Sequence, residues 1–180
     1  MIFVMGSSDP NGRLIFAKQK DIVKEIVDIP YHSDVRFGFV QYDSYPSVPV
    51  RLGYIRDKDN LKQSINTMTW RRNGITLVHA LRRAADQFVK EGRSNADSVL
   101  IVFTNGNQIA SEIELSQVGA MLRKQGITVR VITTDGSAKN VLRPLVPKDF
   151  DVVVVNLTDP VSNVVITMIT NGLLAGKCII

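Results

Sequence analysis

The first polar cluster of the chain lies where a short apolar run, residues 1–5, meets a glycine-containing turn, residues 6–12. In that turn Ser7 and Asp9 supply a hydroxyl and a carboxylate, and Ser8 adds a second hydroxyl. Such a turn between a buried strand and a helix is a common place for a phosphate or a metal ion in α/β proteins. These residues therefore suggest three chemistries: metal coordination, phosphate binding and nucleophilic attack by a serine.

The sequence lacks the complete motifs for phosphate binding and for serine catalysis. The turn has neither the GxxxxGK[ST] phosphate loop nor the glycine spacing of a dinucleotide site. A serine nucleophile needs a nearby base, and the two histidines, His32 and His79, are not accompanied by a GxSxG elbow. We therefore expect a protein that is not an enzyme and that has no nucleotide cofactor.

Apolar runs alternate with helical patterns along the chain, and these elements must position the polar turn. The period-2 and continuous apolar runs predict strands over 1–5, 35–42, 48–54, 98–106, 127–134 and 151–157. The amphipathic patterns predict helices over 14–28, 75–92, 111–125 and 138–146, a short helix from Asp57 or Asp59 through about Met68, and a final helix after Asp159-Pro160.

The spacing of these elements predicts an α/β fold with a doubly wound sheet. Only residues 43–47 join the second and third strands, which demands a hairpin and one antiparallel edge strand. The other connections carry helices, so the six-stranded sheet is mostly parallel and has helices on both faces. Ligands bind such sheets at the carboxyl ends of the strands, which points to loops 5–12, 70–77 and 104–110.

The composition is that of an ordinary globular domain. The 180 residues are 44% hydrophobic and 22% charged, which predicts a single domain over 1–180. No apolar run reaches the roughly 18 residues of a membrane span. Residues 1–5 are too short, and lack the basic flank, for a signal peptide. Any targeting segment therefore lies outside this sequence or does not exist.

The formal net charge of +5 is mild, and basic residues are mixed with acidic ones along the chain. The densest basic pairs are Arg71-Arg72 and Arg82-Arg83. This pattern favours a solvated surface over an anion-binding face. Because no basic stretch is rich in aromatic residues, we expect no nucleic-acid partner. Because no apolar run is long enough for a membrane span, we also expect no direct membrane insertion.

Five stretches resemble the von Willebrand factor A-like family. The most specific is VRFGFVQYDSYPSVPVRL, at 35–52, which is similar to the family's second and third strands. The others are IFVMGSS with AKQKDIVKEIV, NGITLVHAL, VLIVFTNG and GITVRVIT. The resemblance covers nearly the whole chain, and it implies one domain excised from a larger multidomain protein.

The resemblance also implies a metal-ion-dependent adhesion site (MIDAS). In the family, Asp-x-Ser-x-Ser on the first loop, a Thr on the second and the Asp of Thr-Asp-Gly on the third hold a divalent cation, commonly Mg²⁺. An open coordination position takes a carboxylate from the partner. Carried over to this sequence, the motif falls on Met5, Ser7, Asp9, Thr76 (with Ile75 as the alternative) and Asn105.

The site implied by the resemblance has lost much of its negative charge. Met5 and Asn105 stand where the family has carboxylates, and only Asp9 supplies a charge directly. A thioether is a soft ligand that suits copper better than magnesium. We therefore expect no tightly bound cofactor; the alternative is a weak Mg²⁺ or Ca²⁺ site built on Ser7, Asp9 and Thr76. Asp43 is a further candidate, at a position that the sequence leaves open.

A Thr-Asp-Gly tripeptide also occurs within 133–136, but it follows the strand after the central one. We interpret Asp135 and Gly136 as part of a turn.

Residues near the second loop are candidates for contact with a partner. Trp70 stands beside Arg71 and Arg72, and Trp and Arg are enriched at interface hot spots. The alternative is a tryptophan that belongs to the core.

Two residues favour an extracellular location. Asn156 begins the glycosylation sequon Asn-Leu-Thr, and Cys178 is the only cysteine. Extracellular members of the family often carry a cysteine just after the last helix, bonded to one near the start. The resemblance thus implies that a disulfide partner of Cys178 lies before residue 1.

We interpret the chain as a non-enzymatic protein-binding or adhesion module of a secreted extracellular matrix protein. Its partner would be a matrix protein such as collagen, or a neighbouring von Willebrand factor A-like domain. The alternatives are cation-dependent adhesion through a residual site, an intracellular scaffold domain, a spacer and an enzyme.

Overall fold

A computed structural model describes residues 1–6, 12–31, 34–43, 45–71, 77–104, 110–146 and 152–170. Its strands are β1 (Ile2–Gly6), β2 (Gly38–Tyr42), β3 (Ser47–Val50), β4 (Ser98–Thr104), β5 (Ile127–Thr133) and β6 (Val152–Val154). Its helices are α1 (Gly12–Asp28), α2 (Lys58–Thr67), α3 (Leu77–Glu91), α4 (Glu112–Lys124), α5 (Ala138–Leu142) and α6 (Val161–Thr170). Strands and helices follow one another in the predicted order.

The strands form one six-stranded sheet in the order β3-β2-β1-β4-β5-β6. All neighbouring pairs are parallel except β2 and β3, so β3 is the antiparallel edge strand that the short connection predicts. The predicted fold class is confirmed. In register, Met5 of β1 lies opposite Gln41 of β2 and Phe103 of β4. The carboxyl ends of β1, β2 and β4 therefore meet, and we call this rim of the sheet the carboxyl edge.

Apolar side chains fill both faces of the sheet. Val4 packs into a cluster with α3, α4 and α5, whereas Phe3 and Met5 pack into a second cluster with α1, α2 and α6. This alternation follows from the two-residue period of a strand. Phe3 also stacks on Phe39, with ring centroids 5.4 Å apart. Because β1 is buried on both faces, the carboxyl edge rests on a rigid support.

Local side-chain chemistry sets where the helices begin. The Asp57 carboxylate accepts a hydrogen bond from the Asn60 backbone N–H at 2.8 Å and caps α2, which selects Asp57 from the two predicted caps. At α4, the Ser111 hydroxyl and the Glu114 carboxylate form a reciprocal capping box. The Glu114 carboxylate accepts from Ser111, and these hydrogen bonds lower the pKa of Glu114.

Three elements end three or more residues earlier than the sequence predicts, and β2 begins at Gly38 rather than at residue 35. The third strand ends at Val50 rather than 54, because the chain turns through Gly53 at φ 73. Helix α5 ends at Leu142 rather than 146, since Pro144 cannot donate the next helical hydrogen bond. The sixth strand ends at Val154 rather than 157, where the Asn156 N–H donates to the Asp159 carboxylate at 2.9 Å and forms a turn.

Within the described part of the chain, no helix combines the length and the apolar character that crossing a membrane requires.

Candidate functional site

Most residues of the predicted metal site lie outside the described residues, and so do two other candidates. They are Ser7, Asp9, Thr76 and Asn105, with Arg72 and Cys178. The metal-site assignment stays a prediction for them. The structure does describe the ends of β1 and β4, from which the first and third loops leave, and residues 70–71 at the start of the second loop.

Met5 occupies the carboxyl end of β1 and is fully buried. Its side chain belongs to the apolar cluster on the α1, α2 and α6 face. A carboxylate in that environment would lose its hydration without gaining a partner, which costs several kcal/mol. The position therefore holds an uncharged thioether inside the core.

Gly6 and Tyr42 tie the strand ends together. The Tyr42 ring lies over Gly6, where an added Cβ would come within 2.7 Å of the Tyr42 hydroxyl oxygen. That hydroxyl donates a hydrogen bond to the Phe103 carbonyl at 3.0 Å. Burial raises the pKa of Tyr42 to about 12, against the opposing effect of its hydrogen bond with Thr104. Tyr42 is therefore a neutral donor that links β1, β2 and β4 at the carboxyl edge.

Asp43, the first residue after β2, lies at the same edge. Its carboxylate accepts a hydrogen bond from the Tyr45 backbone N–H at 3.0 Å, and its second oxygen is 3.7 Å from an Arg71 guanidinium nitrogen. The Asp43 side chain is only 11% exposed, whereas that of Arg71 is 52% exposed. Asp43, whose position the sequence left open, thus pairs with Arg71.

Residues on two elements hold the beginning of the second loop. Gln41 of β2 donates to the Thr69 carbonyl at 2.7 Å. Lys20 of α1 donates to the Met68 carbonyl at 3.2 Å. These two hydrogen bonds hold the backbone on both sides of Thr69. Trp70 and Arg71 therefore follow directly on an ordered segment.

Trp70 lies between the core and the surface. It is half-buried and packs against the cluster that contains Met5, so it combines a contact with the core and partial exposure. The Arg13 guanidinium of α1 lies over the ring, 5.6 Å from its centroid. Its indole nitrogen is buried and has no hydrogen-bond acceptor within the described ranges. Tyr45 is 82% exposed, in the segment between β2 and β3.

Sequence analysis did not single out Arg13, Lys20 or Tyr45. Each is distant from Trp70 in the sequence. Arg13 and Lys20 of α1 come near Trp70 only because the chain folds. The only sequence signal is general: α1 and the β2–β3 segment both adjoin the carboxyl edge in the predicted topology.

Among the residues that the structure describes, no three His, Cys, Asp or Glu side chains lie close enough to hold a metal ion. The Thr-Asp-Gly tripeptide after β5 is a turn, as interpreted from its position: the Asp135 carboxylate accepts from the Ser137 N–H at 2.8 Å. Hydrogen bonds from Ser137 lower the pKa of Asp135.

The sequon residues 156–158 lie in the turn between β6 and α6, and all three are exposed. The Asn156 side chain is therefore accessible for modification.

Comparisons with known proteins agree with this geometry. A sequence profile of the von Willebrand factor type A domain matches residues 1–165. Human matrilin-3 is 27% identical over 145 residues, which are 75% of this chain and 29% of matrilin-3. Mouse matrilin-3 is 26% identical over 159 residues, which are 84% of this chain and 32% of that protein. The chain therefore spans less than a third of either relative.

Two solved structures share the fold. Proximal thread matrix protein 1 from the mussel byssus superposes with a TM-score of 0.79 at 21% identity, over 96% of this chain and 46% of that one. The same protein has been solved with a zinc-occupied MIDAS motif. The manganese-loaded TRAP protein of Plasmodium vivax superposes with a TM-score of 0.75 at 14% identity, over 98% of this chain and 73% of that one. At these identities the likeness shows the fold alone.

Proposed function

The chain belongs to the von Willebrand factor type A domain family, and from this membership we propose that it is a non-enzymatic protein-binding module of a secreted extracellular matrix protein. Its similarity to matrilin-3 and to a mussel thread matrix protein supports this role. The partner would be a matrix protein such as collagen or a neighbouring domain of the same family. Because the chain matches under a third of matrilin-3, other domains of the whole protein can add to binding.

We further propose that binding does not depend on a tightly held metal ion, and one observation carries this proposal. At the position of the family's first acidic residue, the chain has the buried thioether of Met5. Mg²⁺ prefers charged oxygen ligands and gives up its water reluctantly. The described residues of the carboxyl edge do not fit such an ion, since Met5 is apolar and Asp43 is already engaged by Arg71.

A second candidate is cation-dependent adhesion through Ser7, Asp9, Thr76 and Asn105. Zinc in the MIDAS motif of the mussel protein and manganese in the TRAP protein favour this alternative. It would give a weak Mg²⁺ or Ca²⁺ site, because one formal charge compensates poorly for the lost hydration of a divalent ion.

A partner would contact the domain at the carboxyl edge. Trp70 and Arg71 support this assignment, since one is a half-buried aromatic ring and the other is a half-exposed guanidinium. Arg72 would extend the same surface.

Two modifications follow from an extracellular location. We propose Asn156 as an N-glycosylation site, supported by the exposed turn that carries it. We also propose that Cys178 forms a disulfide with a cysteine outside this sequence.

The proposed function is tested by solid-phase binding of the purified domain to collagen and to matrilin family domains, in EDTA and in Mg²⁺. The proposal predicts saturable binding to at least one matrix protein that EDTA does not abolish. Binding that occurs only with a divalent cation would favour the second candidate. An absence of binding in both conditions would leave the domain as a spacer.

A further inference from the structure

We propose that Arg13, Trp70 and Arg71 form a cationic surface that binds an acidic segment of a protein partner directly, with no metal ion between them. This inference rests on the proposed function and deepens it by naming the chemistry of the partner. We call these three residues the arginine–tryptophan surface.

Arg13 lies at the surface with its guanidinium over an aromatic ring. This residue is exposed at the start of α1, and it forms no ion pair with another residue in the described ranges. Its guanidinium lies over the Trp70 ring at 5.6 Å. A guanidinium stacked on an indole is held in place, and the N–H groups at its edge stay available for hydrogen bonds. A partner carboxylate is the group that this planar fork binds best, through two parallel hydrogen bonds.

The two side chains of the Arg71–Asp43 pair are unequally buried. Asp43 is nearly enclosed, while about half of the Arg71 side chain is exposed, and 3.7 Å is a long contact. A guanidinium has five N–H donors, so one distant carboxylate leaves donors for another. Asp43 therefore orients Arg71 without saturating it.

The backbone that leads to Trp70 and Arg71 is anchored before a partner binds. Gln41 and Lys20 hold the backbone carbonyls of Thr69 and Met68. Less conformational entropy is lost when a partner contacts side chains on a fixed segment. The half-buried indole adds apolar contact area beside the two charges, and such a combination is typical of hot spots.

The same observations favour an acidic peptide over a sulfated polysaccharide. A polyanionic chain needs a row of basic residues along its length, whereas this surface has two guanidinium groups, one over the Trp70 ring and one on the next residue of the chain. The net charge of +5 is spread over the whole chain rather than gathered in a stripe. Paired arginines beside an aromatic ring suit one or two carboxylates next to an apolar side chain.

Trp70 is the only tryptophan of the chain, so its fluorescence reports on this surface. The experiment titrates the whole domain, in EDTA, with a short peptide of aspartate, glutamate and leucine that lacks tryptophan. We expect a saturable change in Trp70 emission that weakens as salt is added. The substitutions Arg13→Gln and Arg71→Gln should each weaken binding by about fivefold. The matched control Arg83→Gln, an exposed arginine of α3, removes the same charge elsewhere and should leave affinity unchanged.

Two further variants separate this role from general charge. Arg13→Lys keeps the charge but loses the planar fork, so its affinity should lie between those of the wild type and Arg13→Gln. Asp43→Asn removes the carboxylate that orients Arg71, so it should weaken peptide binding although it makes the domain more positive. A general charge effect predicts neither result, since it gives equal affinity for Arg13→Lys and tighter binding for Asp43→Asn.

The proposal is overturned if the peptide causes no saturable change, or if Arg83→Gln weakens binding as much as Arg13→Gln. It is also overturned if a heparin oligosaccharide binds at this surface and the acidic peptide does not. A matrix protein that binds in EDTA equally well to wild type and to Arg13→Gln would overturn this inference and leave the proposed function standing. Peptide binding without any matrix-protein binding would support this inference and remove the adhesive role.

Discussion

Single side chains at the carboxyl edge decide which chemistry is open to this domain. Met5 puts a buried thioether at the end of β1, and Asp43 shares its carboxylate with Arg71. Tyr42 closes the space over Gly6 and donates to a carbonyl of β4. The described residues at this edge thus use their polar groups on one another, and the exposed charge belongs to arginines.

Replacing Met5 tests its burial. We expect Met5→Asp to lower the free energy of unfolding by about 3 kcal/mol, because a carboxylate would enter an apolar cluster without a partner. Met5→Leu preserves volume and should cost less than about 1.5 kcal/mol. Urea denaturation in EDTA measures both. Equal stability of the two variants would show that this side chain faces solvent or a polar pocket.

Tyr42 predicts a stability difference that depends on pH. Tyr42→Phe removes the hydrogen bond to the Phe103 carbonyl and should cost about 1 kcal/mol near neutral pH. Burial raises the folded-state pKa of Tyr42 from 10.0 to about 12, so its contribution is complete below pH 10 and is lost as the pH rises toward 12. Wild type should therefore lose more stability than Tyr42→Phe between these pH values. Parallel denaturant midpoints across that range would contradict the assignment.

At the scale of elements, α4 packs closely against the chain after α5. A Cβ on Gly119 would lie 2.5 Å from the Pro144 carbonyl oxygen and 3.2 Å from the Leu145 Cα. Both neighbours are backbone atoms, which move only when the whole connection moves. Glycine is therefore required at this position although it is a poor helix former.

Gly119→Ala tests this contact. Helix propensity alone predicts a gain of roughly 1 kcal/mol, but we expect a net loss of about 1–2 kcal/mol because the helix must shift away from Pro144. Ser116→Ala, at an exposed position of the same helix, should be neutral or slightly stabilising. Thermal unfolding of both variants gives the comparison, and a rise in Tm for Gly119→Ala would disprove the close contact.

The elements are also where prediction from sequence succeeds most fully. Hydrophobic periodicity and loop lengths are local properties, so they predict the twelve elements found among the described residues, their order and the antiparallel edge strand. The differences lie at element ends. Helix α5 ends before the proline at 144, and β6 ends where Asp159 accepts a backbone hydrogen bond. The ends of these elements depend on single hydrogen bonds. The periodicity of apolar residues carries no information on such bonds.

At the scale of the whole molecule, the parallel sheet brings distant segments to one edge. Sequence analysis predicted this edge and named Trp70 and Arg71 as candidates, because carboxyl ends of parallel strands must meet. It could not pair Trp70 with Arg13, nor Arg71 with Asp43, since those contacts join residues far apart in the chain. The topology predicts which loops meet, and only coordinates show which side chains touch.

We propose that this edge lacks the negative charge needed for tight binding of a divalent cation. Isothermal titration calorimetry of the domain with Mg²⁺, Ca²⁺ and Mn²⁺ tests it most directly, with Asp9→Ala as the control. We predict no saturable heat at micromolar Mg²⁺, and at most a weak millimolar isotherm that Asp9→Ala removes. A stoichiometric Mg²⁺ isotherm of micromolar affinity that is lost in Asp9→Ala would contradict the claim.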